Sequence, residues 1–175
     1  MGDGATGIVL IGLRRSGKTT VGRRLASLVG LPFFDLDEEV EREAGVPVSE
    51  LILQQGEPAF RSRESEVLAK VVARGAAVLA CGGGTPLAEE NRLRLAGFGR
   101  VLYLRAGVSE LQRRLAADPR PSSRPPLLDC SPEEEVRRLW TERDPLFVRL
   151  ADTVIDADED IDAVVDHCAA AVRGD

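Results

Sequence analysis

The stretch Gly12-Leu13-Arg14-Arg15-Ser16-Gly17-Lys18-Thr19 most limits what this chain can fold into. It satisfies the G-x-x-x-x-G-K-[ST] pattern and falls between the apolar run Ile8–Leu13 and a segment with helical spacing, the strand-to-helix context in which the pattern binds phosphate. Its glycines let successive backbone N–H groups wrap an anion at a helix N-terminus, where unpaired N–H groups and the helix dipole favour negative charge. Lys18 then reaches the outer phosphates of a nucleotide and the Thr19 hydroxyl offers an oxygen ligand to Mg2+. The expected nucleotide-binding residues here are Gly12, Arg14, Arg15, Ser16, Gly17, Lys18, Thr19 and Thr20.

A strand followed by a helix recurs along the chain. Short apolar runs at Ile8–Leu13, Phe33–Phe34, Ala76–Ala80, Val101–Leu104 and Thr153–Ile155 are each followed by helical spacing, the signature of βα units on a parallel sheet. The first helix should bury Val21, Leu25, Leu28 and Val29 and stop at Gly30, where a left-handed cap costs little. Two acidic helical pieces separated by Gly45-Val46-Pro47 precede a longer helix from about Glu57 to Ala73, with Phe60, Val67, Leu68 and Val71 inward. Ser131-x-x-Glu134, with Pro132 at the first helical position, is a capping box opening a helix that Pro145 should kink or interrupt. A last helix, roughly Asp160 to Arg173, turns Ile161, Val164, Val165 and Cys168 inward. The proline-rich stretch from Ala117 to Ser131 has no apolar period, and loops of that length are commonly functional lids.

At 175 residues, with 43% hydrophobic and 30% charged residues, the chain reads as one soluble domain over 1–175. A net charge of -6 argues against a phosphate-tracking nucleic-acid binder and leaves a small anion, held by locally clustered arginines, as the favoured partner. Ile8–Leu13 is too short for a membrane span or secretory signal. Cys81, Cys130 and Cys168 form no CxxC pair and read as reduced thiols of a cytoplasmic protein. His167, the only histidine, falls far from every strand end and reads as a bystander, which removes histidine acid–base chemistry.

The phosphate loop alone does not name a reaction. A GTPase of the common kind would add an N/T-K-x-D motif, and neither Lys18 nor Lys70, the only lysines, is placed to supply it. In FFDLDEEV, Asp35 and Asp37 are two apart at the end of a strand, where ligands of open α/β sheets collect. Asp35 suits metal positioning and Asp37 suits an acceptor; the competing reading makes Asp37 the N-cap of the helix Glu38–Glu43. Arg61 and Glu64 share a helix face at i and i+3, and spacing alone favours a solvated ion pair of little consequence. Arg124 and Arg143 say nothing singly.

Taken in order, these residues resemble the shikimate kinases along nearly the whole chain. The matching set is Gly12–Thr19, then Asp35-Leu36-Asp37, then Gly56-Glu57-x-x-Phe60-Arg61-x-x-Glu64, then Gly82-Gly83-Gly84, then Arg124-Pro125, and last Arg143-Asp144-Pro145-Leu146. The resemblance implies a three-layer α/β/α P-loop kinase of the nucleoside-monophosphate-kinase type, with a five-stranded parallel sheet ordered 2-3-1-4-5. It implies ATP-dependent phosphorylation of the 3-hydroxyl of shikimate, on the route to chorismate and aromatic amino acids. By it, Arg61 and Arg143 would hold the shikimate carboxylate, and Gly82, Gly83 and Gly84 would wall its pocket. Asp37 would orient or deprotonate the acceptor hydroxyl, with Lys18 and Arg124 offsetting the transferred charge. Asp35 would act on the Mg2+ bound by Thr19, Arg114 would stack on adenine, about 34–62 would form the substrate-binding region and about 116–128 a lid. A monomer without nucleic-acid or membrane partners is expected. The sequence departs from the family where many members have glycine in place of Arg15, and in reading Arg-Pro-Pro-Leu in the lid. A gluconate kinase of the same fold and a silent nucleotide-binding regulatory module are the rivals; the glycine run with Arg61 and Arg143 favours the cyclic carboxylate.

Overall fold

A computed structural model describes residues 6–117 and 128–174. Arg124 lies outside the described residues, as does all of the expected lid except its ends. Five strands, β1 (Gly7–Ile11), β2 (Phe33–Asp35), β3 (Val78–Ala80), β4 (Gly99–Arg105) and β5 (Thr153–Asp156), form one sheet in the order β2-β3-β1-β4-β5. Every adjacent pair is parallel, so the expected order 2-3-1-4-5 is the one observed. The helices are α1 (Lys18–Val29), α2 (Leu36–Ala44), α3 (Val48–Val72), α4 (Glu89–Phe98), α5 (Val108–Ala117), α6 (Pro132–Leu150) and α7 (Ile161–Arg173).

Central β1 reads Gly-Ile-Val-Leu-Ile and all five residues are buried, as a parallel strand covered on both faces requires. Its neighbours end at the same level: Leu10 pairs with Ala80, and Ala80 with Asp35. The phosphate loop, Asp35 to Asp37 and Cys81 to Gly84 therefore leave the sheet from one rim, the carboxyl ends of the strands.

Two expectations change. In α1 the buried residues are Val21, Gly22, Leu25 and Ala26, while Leu28 is 55% exposed. The inner arc is shifted because Gly22 lies directly against the Phe33 ring and the Leu10 side chain, a contact only a bare Cα permits. In α6, Pro145 does not interrupt the helix, which runs from Pro132 to Leu150. The carbonyl that Pro145 leaves without an N–H donor is that of Thr141, an exposed residue. The other end of α6 is as expected, with Ser131 Oγ accepting from the Glu134 N–H at 3.2 Å. The break before Glu57 is also present: Gly56, at φ 83° and ψ 162°, divides α3 into two helical pieces. No helix among the described residues is long and apolar enough to cross a membrane.

Candidate active site

Lys18 arches back over the loop that precedes it. Its Nζ donates to the carbonyls of Gly12 at 3.0 Å and Leu13 at 2.7 Å, and to Ser16 Oγ at 3.3 Å. Gly17, at φ 94°, is the N-cap of α1 and no side chain caps its first N–H groups, which leaves a donor-lined helix start of the kind that takes phosphate. Arg114 of α5 ties this loop to the far side of the sheet. Its Nη1 donates to the Arg15 carbonyl at 3.0 Å and its Nη2 to the Ala157 carbonyl, just past β5, at 2.6 Å. Glu110 holds the third edge of the same guanidinium at 2.6 Å. Thr20 is exposed in the first turn of α1.

The two aspartates separate by role. Asp35 is the N-cap of α2, accepting from the N–H groups of Asp37 at 3.0 Å and Glu38 at 3.5 Å. Asp37 is therefore not the cap, and its carboxylate stands in the first helical turn with its Oδ1 beside Gly82. Asp35 Oδ2 also accepts from the Thr19 hydroxyl at 2.6 Å. A hydroxyl and a carboxylate oxygen that close are the donor chemistry Mg2+ prefers when nucleotide phosphates and water fill its remaining positions, so the residues present fit that ion.

Across the rim, Arg61 of α3 donates from Nη1 to Glu64 Oε2 at 2.9 Å and from Nη2 to Glu57 Oε1 at 3.0 Å. The Glu64 side chain is only 1% exposed, so the pair is not the solvated one that i,i+3 spacing suggests. Burial works against the Arg61 charge, but Glu64 and Glu57 outweigh it and raise the guanidinium pKa further. Glu64 accepts in addition from the buried Thr85 hydroxyl at 2.8 Å, which ties α3 to the residue after the glycine run. Arg61, Glu64 and Gly84 also border a cavity of about 380 Å³ with Leu87, Ala88 and Asn91. Arg143 is buried on α6 and its Nη1 donates to the Gly83 carbonyl at 3.0 Å.

The three glycines hold these parts together. None has a positive φ, so space rather than backbone freedom explains them. A Cβ at Gly82 would lie 2.7 Å from Glu64 Oε1 and 3.0 Å from Asp37 Oδ1, and one at Gly84 would collide with the Arg61 guanidinium. Gly83 faces the phosphate loop, its Cβ direction pointing at the Arg14 backbone nitrogen 3.4 Å away. The run is thus a seam packed against Asp37, Arg61 and the loop of Lys18. Beside it, burial and then the Glu64 charge push the Cys81 thiol pKa up, keeping it protonated.

Sequence reasoning missed the weight of Glu64, missed Thr85, and saw Asp144 only as part of a motif, without its partners Tyr103 and Arg105. The burial of α3 was a signal for Glu64, since the position lies between Phe60 and Val67 on the inner face; for Thr85 no sequence signal existed.

A phosphate loop, a metal-suited Thr–Asp pair and an arginine-lined pocket on the carboxyl rim of a 2-3-1-4-5 sheet define a P-loop kinase. The family model for shikimate kinase matches residues 14–173. A shikimate kinase of Methylococcus capsulatus is 44% identical over 149 residues, covering 85% of this chain and 82% of its own. One of Bradyrhizobium diazoefficiens is 38% identical over 170 residues, covering 97% and 81%. Among solved structures, the shikimate kinase of Acinetobacter baumannii in complex with shikimate superposes with a TM-score of 0.87 at 37% identity, over 97% of this chain and 92% of that one. A gluconokinase of Sinorhizobium meliloti, with a TM-score of 0.58 and 16% identity, shares the fold alone. The chain belongs to the shikimate kinase family.

Proposed function

We propose that this protein transfers the γ-phosphoryl group of ATP to the 3-hydroxyl of shikimate, giving shikimate 3-phosphate and ADP. The observation that carries this reading is the convergence of Asp37, Arg61 and Arg143 on Gly82–Gly84, directly across from the loop of Lys18. Two guanidinium groups suit a carboxylate, whose oxygens take paired N–H donors, better than they suit a neutral sugar.

In this reading the triphosphate displaces the loop carbonyls as the partner of Lys18, and the N–H groups at the start of α1 hold its β-phosphate. Thr19 and Asp35 would hold Mg2+, which would supply positive charge to offset that of the transferred phosphoryl group. Asp37 takes the proton of the 3-hydroxyl as its oxygen bonds to the γ-phosphorus and the bond to the bridging oxygen of ADP breaks. Catalysis is then mainly positioning and charge stabilisation, with Lys18 and Arg124 as the cations. Arg114 borders the adenine, residues 34–62 form the acceptor side, and about 116–128 close to exclude water. The same reading takes one chain as the working unit and sets the protein in the cytoplasm, consistent with the free cysteines among the described residues.

The test is a coupled assay of ADP release with ATP and Mg2+ against shikimate, gluconate and nucleoside monophosphates. Release that depends on shikimate alone is expected; turnover of gluconate but not shikimate would overturn the reading.

A further inference from the structure

The reaction above leaves unused Asp144, a buried carboxylate of α6. Asp144 Oδ1 accepts from the Tyr103 hydroxyl at 2.9 Å and from Arg105 Nε at 2.7 Å, and its Oδ2 accepts from Arg105 Nη2 at 2.9 Å. Tyr103 is 1% exposed and its ring meets Phe147 edge-on at 5.3 Å. The Arg105 guanidinium lies 5.3 Å from the Trp140 ring, and Trp140 Nε1 donates to the Ala106 carbonyl at 3.0 Å. Residues 140, 144 and 147 of α6 thus grip Tyr103, Arg105 and Ala106, at and just past the carboxyl end of β4.

Arg143 sits inside that grip, one residue from Asp144. A helix advances about 1.5 Å and turns about 100° per residue, so any slide or roll that disturbs Asp144 moves Arg143 by a comparable amount. The reference strand matters as well. Tyr103 pairs with Ile11, the residue before Gly12, so β4 carries the frame of the phosphate loop. The Asp144 side chain is 10% exposed and that of Arg105 43%, so the pair adds little net stability, but its two-pronged geometry admits few alternative registers.

We propose that the Tyr103–Asp144–Arg105 cluster is a positioning device that sets Arg143, and through it the acceptor carboxylate, at a fixed distance from the phosphate loop. This rests on the reading of Arg143 as a carboxylate ligand. Asp144 touches neither substrate and acts only through its neighbour.

The experiment is steady-state kinetics on Asp144→Asn and Tyr103→Phe, each alone and combined with Arg143→Lys. Asn keeps the shape of Asp144 but turns an amide toward Arg105, so the two-pronged pairing is lost. Asp144→Asn is expected to raise the KM for shikimate by about tenfold, with kcat and the KM for ATP within about twofold. Tyr103→Phe, which keeps the ring packing on Phe147, should act in the same direction by about threefold and carries the test if Asp144→Asn does not fold. In the Arg143→Lys background both effects should shrink to about twofold or less, because residues that work as one unit are not additive. Equal rises in both KM values, or an undiminished effect beside Arg143→Lys, would reduce the cluster to general structural support and overturn the proposal. A wild-type enzyme that does not turn over shikimate at all would instead overturn the acceptor reading on which it rests.

Discussion

Arg15 stands at φ 65°, the only non-glycine with a positive φ among the described residues, in the middle of the phosphate loop. The left-handed region costs an L-residue about 1–2 kcal/mol that glycine escapes, and glycine gives back about 0.5–1 kcal/mol through its freer unfolded chain. Arg15→Gly should therefore raise the melting temperature by up to about 6 °C, at the 2–4 °C per kcal/mol usual for a chain of this length. A lower melting temperature would mean that the contacts of the Arg15 side chain outweigh its backbone strain. The glycine run sets a second residue-level test. Gly84→Ala drives a methyl into the Arg61 guanidinium, which can yield only by leaving Glu57 and Glu64. The KM for shikimate should rise roughly 10- to 100-fold, the worth of a charged hydrogen bond, with little change in the KM for ATP. Gly83→Ala meets protein only at ordinary contact distance, 3.4 Å from the Arg14 nitrogen, so its melting temperature should stay close to wild type and any loss of shikimate affinity reports contact with the ligand itself.

At the level of elements, the break in α3 decides where Arg61 stands. Gly56 takes φ 83°, and a Cβ there would touch only Pro58 Cδ at an ordinary 3.6 Å, so Gly56→Ala is strained through its backbone and not through crowding. The glycine-only backbone region it occupies costs an L-residue about 1–3 kcal/mol, less about 0.5–1 kcal/mol for the stiffer unfolded chain of alanine, so the melting temperature should fall by up to about 10 °C, with the KM for shikimate rising as Glu57 and Arg61 shift. An unchanged melting temperature would show that the two pieces of α3 join as readily without glycine. This element also shows what was legible in advance. The start near Glu57 could be read from Gly56 and Pro58, and the inner face from Phe60, Val67, Leu68 and Val71. The five strands and the loop of Lys18 were legible for the same reason, because apolar period and glycine placement are local signals; the strand order came only with the family resemblance. What escaped depends on partners distant in sequence: Leu28 is exposed because Gly22 draws the Phe33 ring onto the other side of α1, and Glu64 is buried because Thr85 comes down on it. Asp144 was seen only as part of a motif; its bonds to Tyr103 and Arg105 cross about forty residues, and no local pattern announces them.

The whole molecule brings two half-sites to one rim from different parts of the chain. In the proposed reading the nucleotide half comes from the loop after β1 and from Arg114 of α5, and the acceptor half from the ends of β2 and β3, from α3 and from α6. They meet where Gly83 lies between the Arg14 backbone and the Arg143 side chain, so each ligand has a largely separate set of protein groups. Separate sets predict separable stabilisation. A ligand at one hundred times its Kd stabilises the folded chain by about 2.7 kcal/mol, which for this length corresponds to roughly 5–11 °C in melting temperature. Wild-type protein should show a rise of that size with Mg-ADP and another with shikimate, each measured by thermal unfolding at matched saturation. Arg143→Ala should keep the Mg-ADP rise and lose most of the shikimate rise at the same concentrations. The contact from Arg143 ends on the Gly83 carbonyl, on the acceptor side of the seam, whereas the bonds described for Lys18, Thr19 and Arg114 end within the phosphate loop, on Asp35, on Glu110 and on Ala157. If Arg143→Ala erased both rises, the two halves would be one cooperative unit, and Arg143 would be holding the rim together, not holding a ligand.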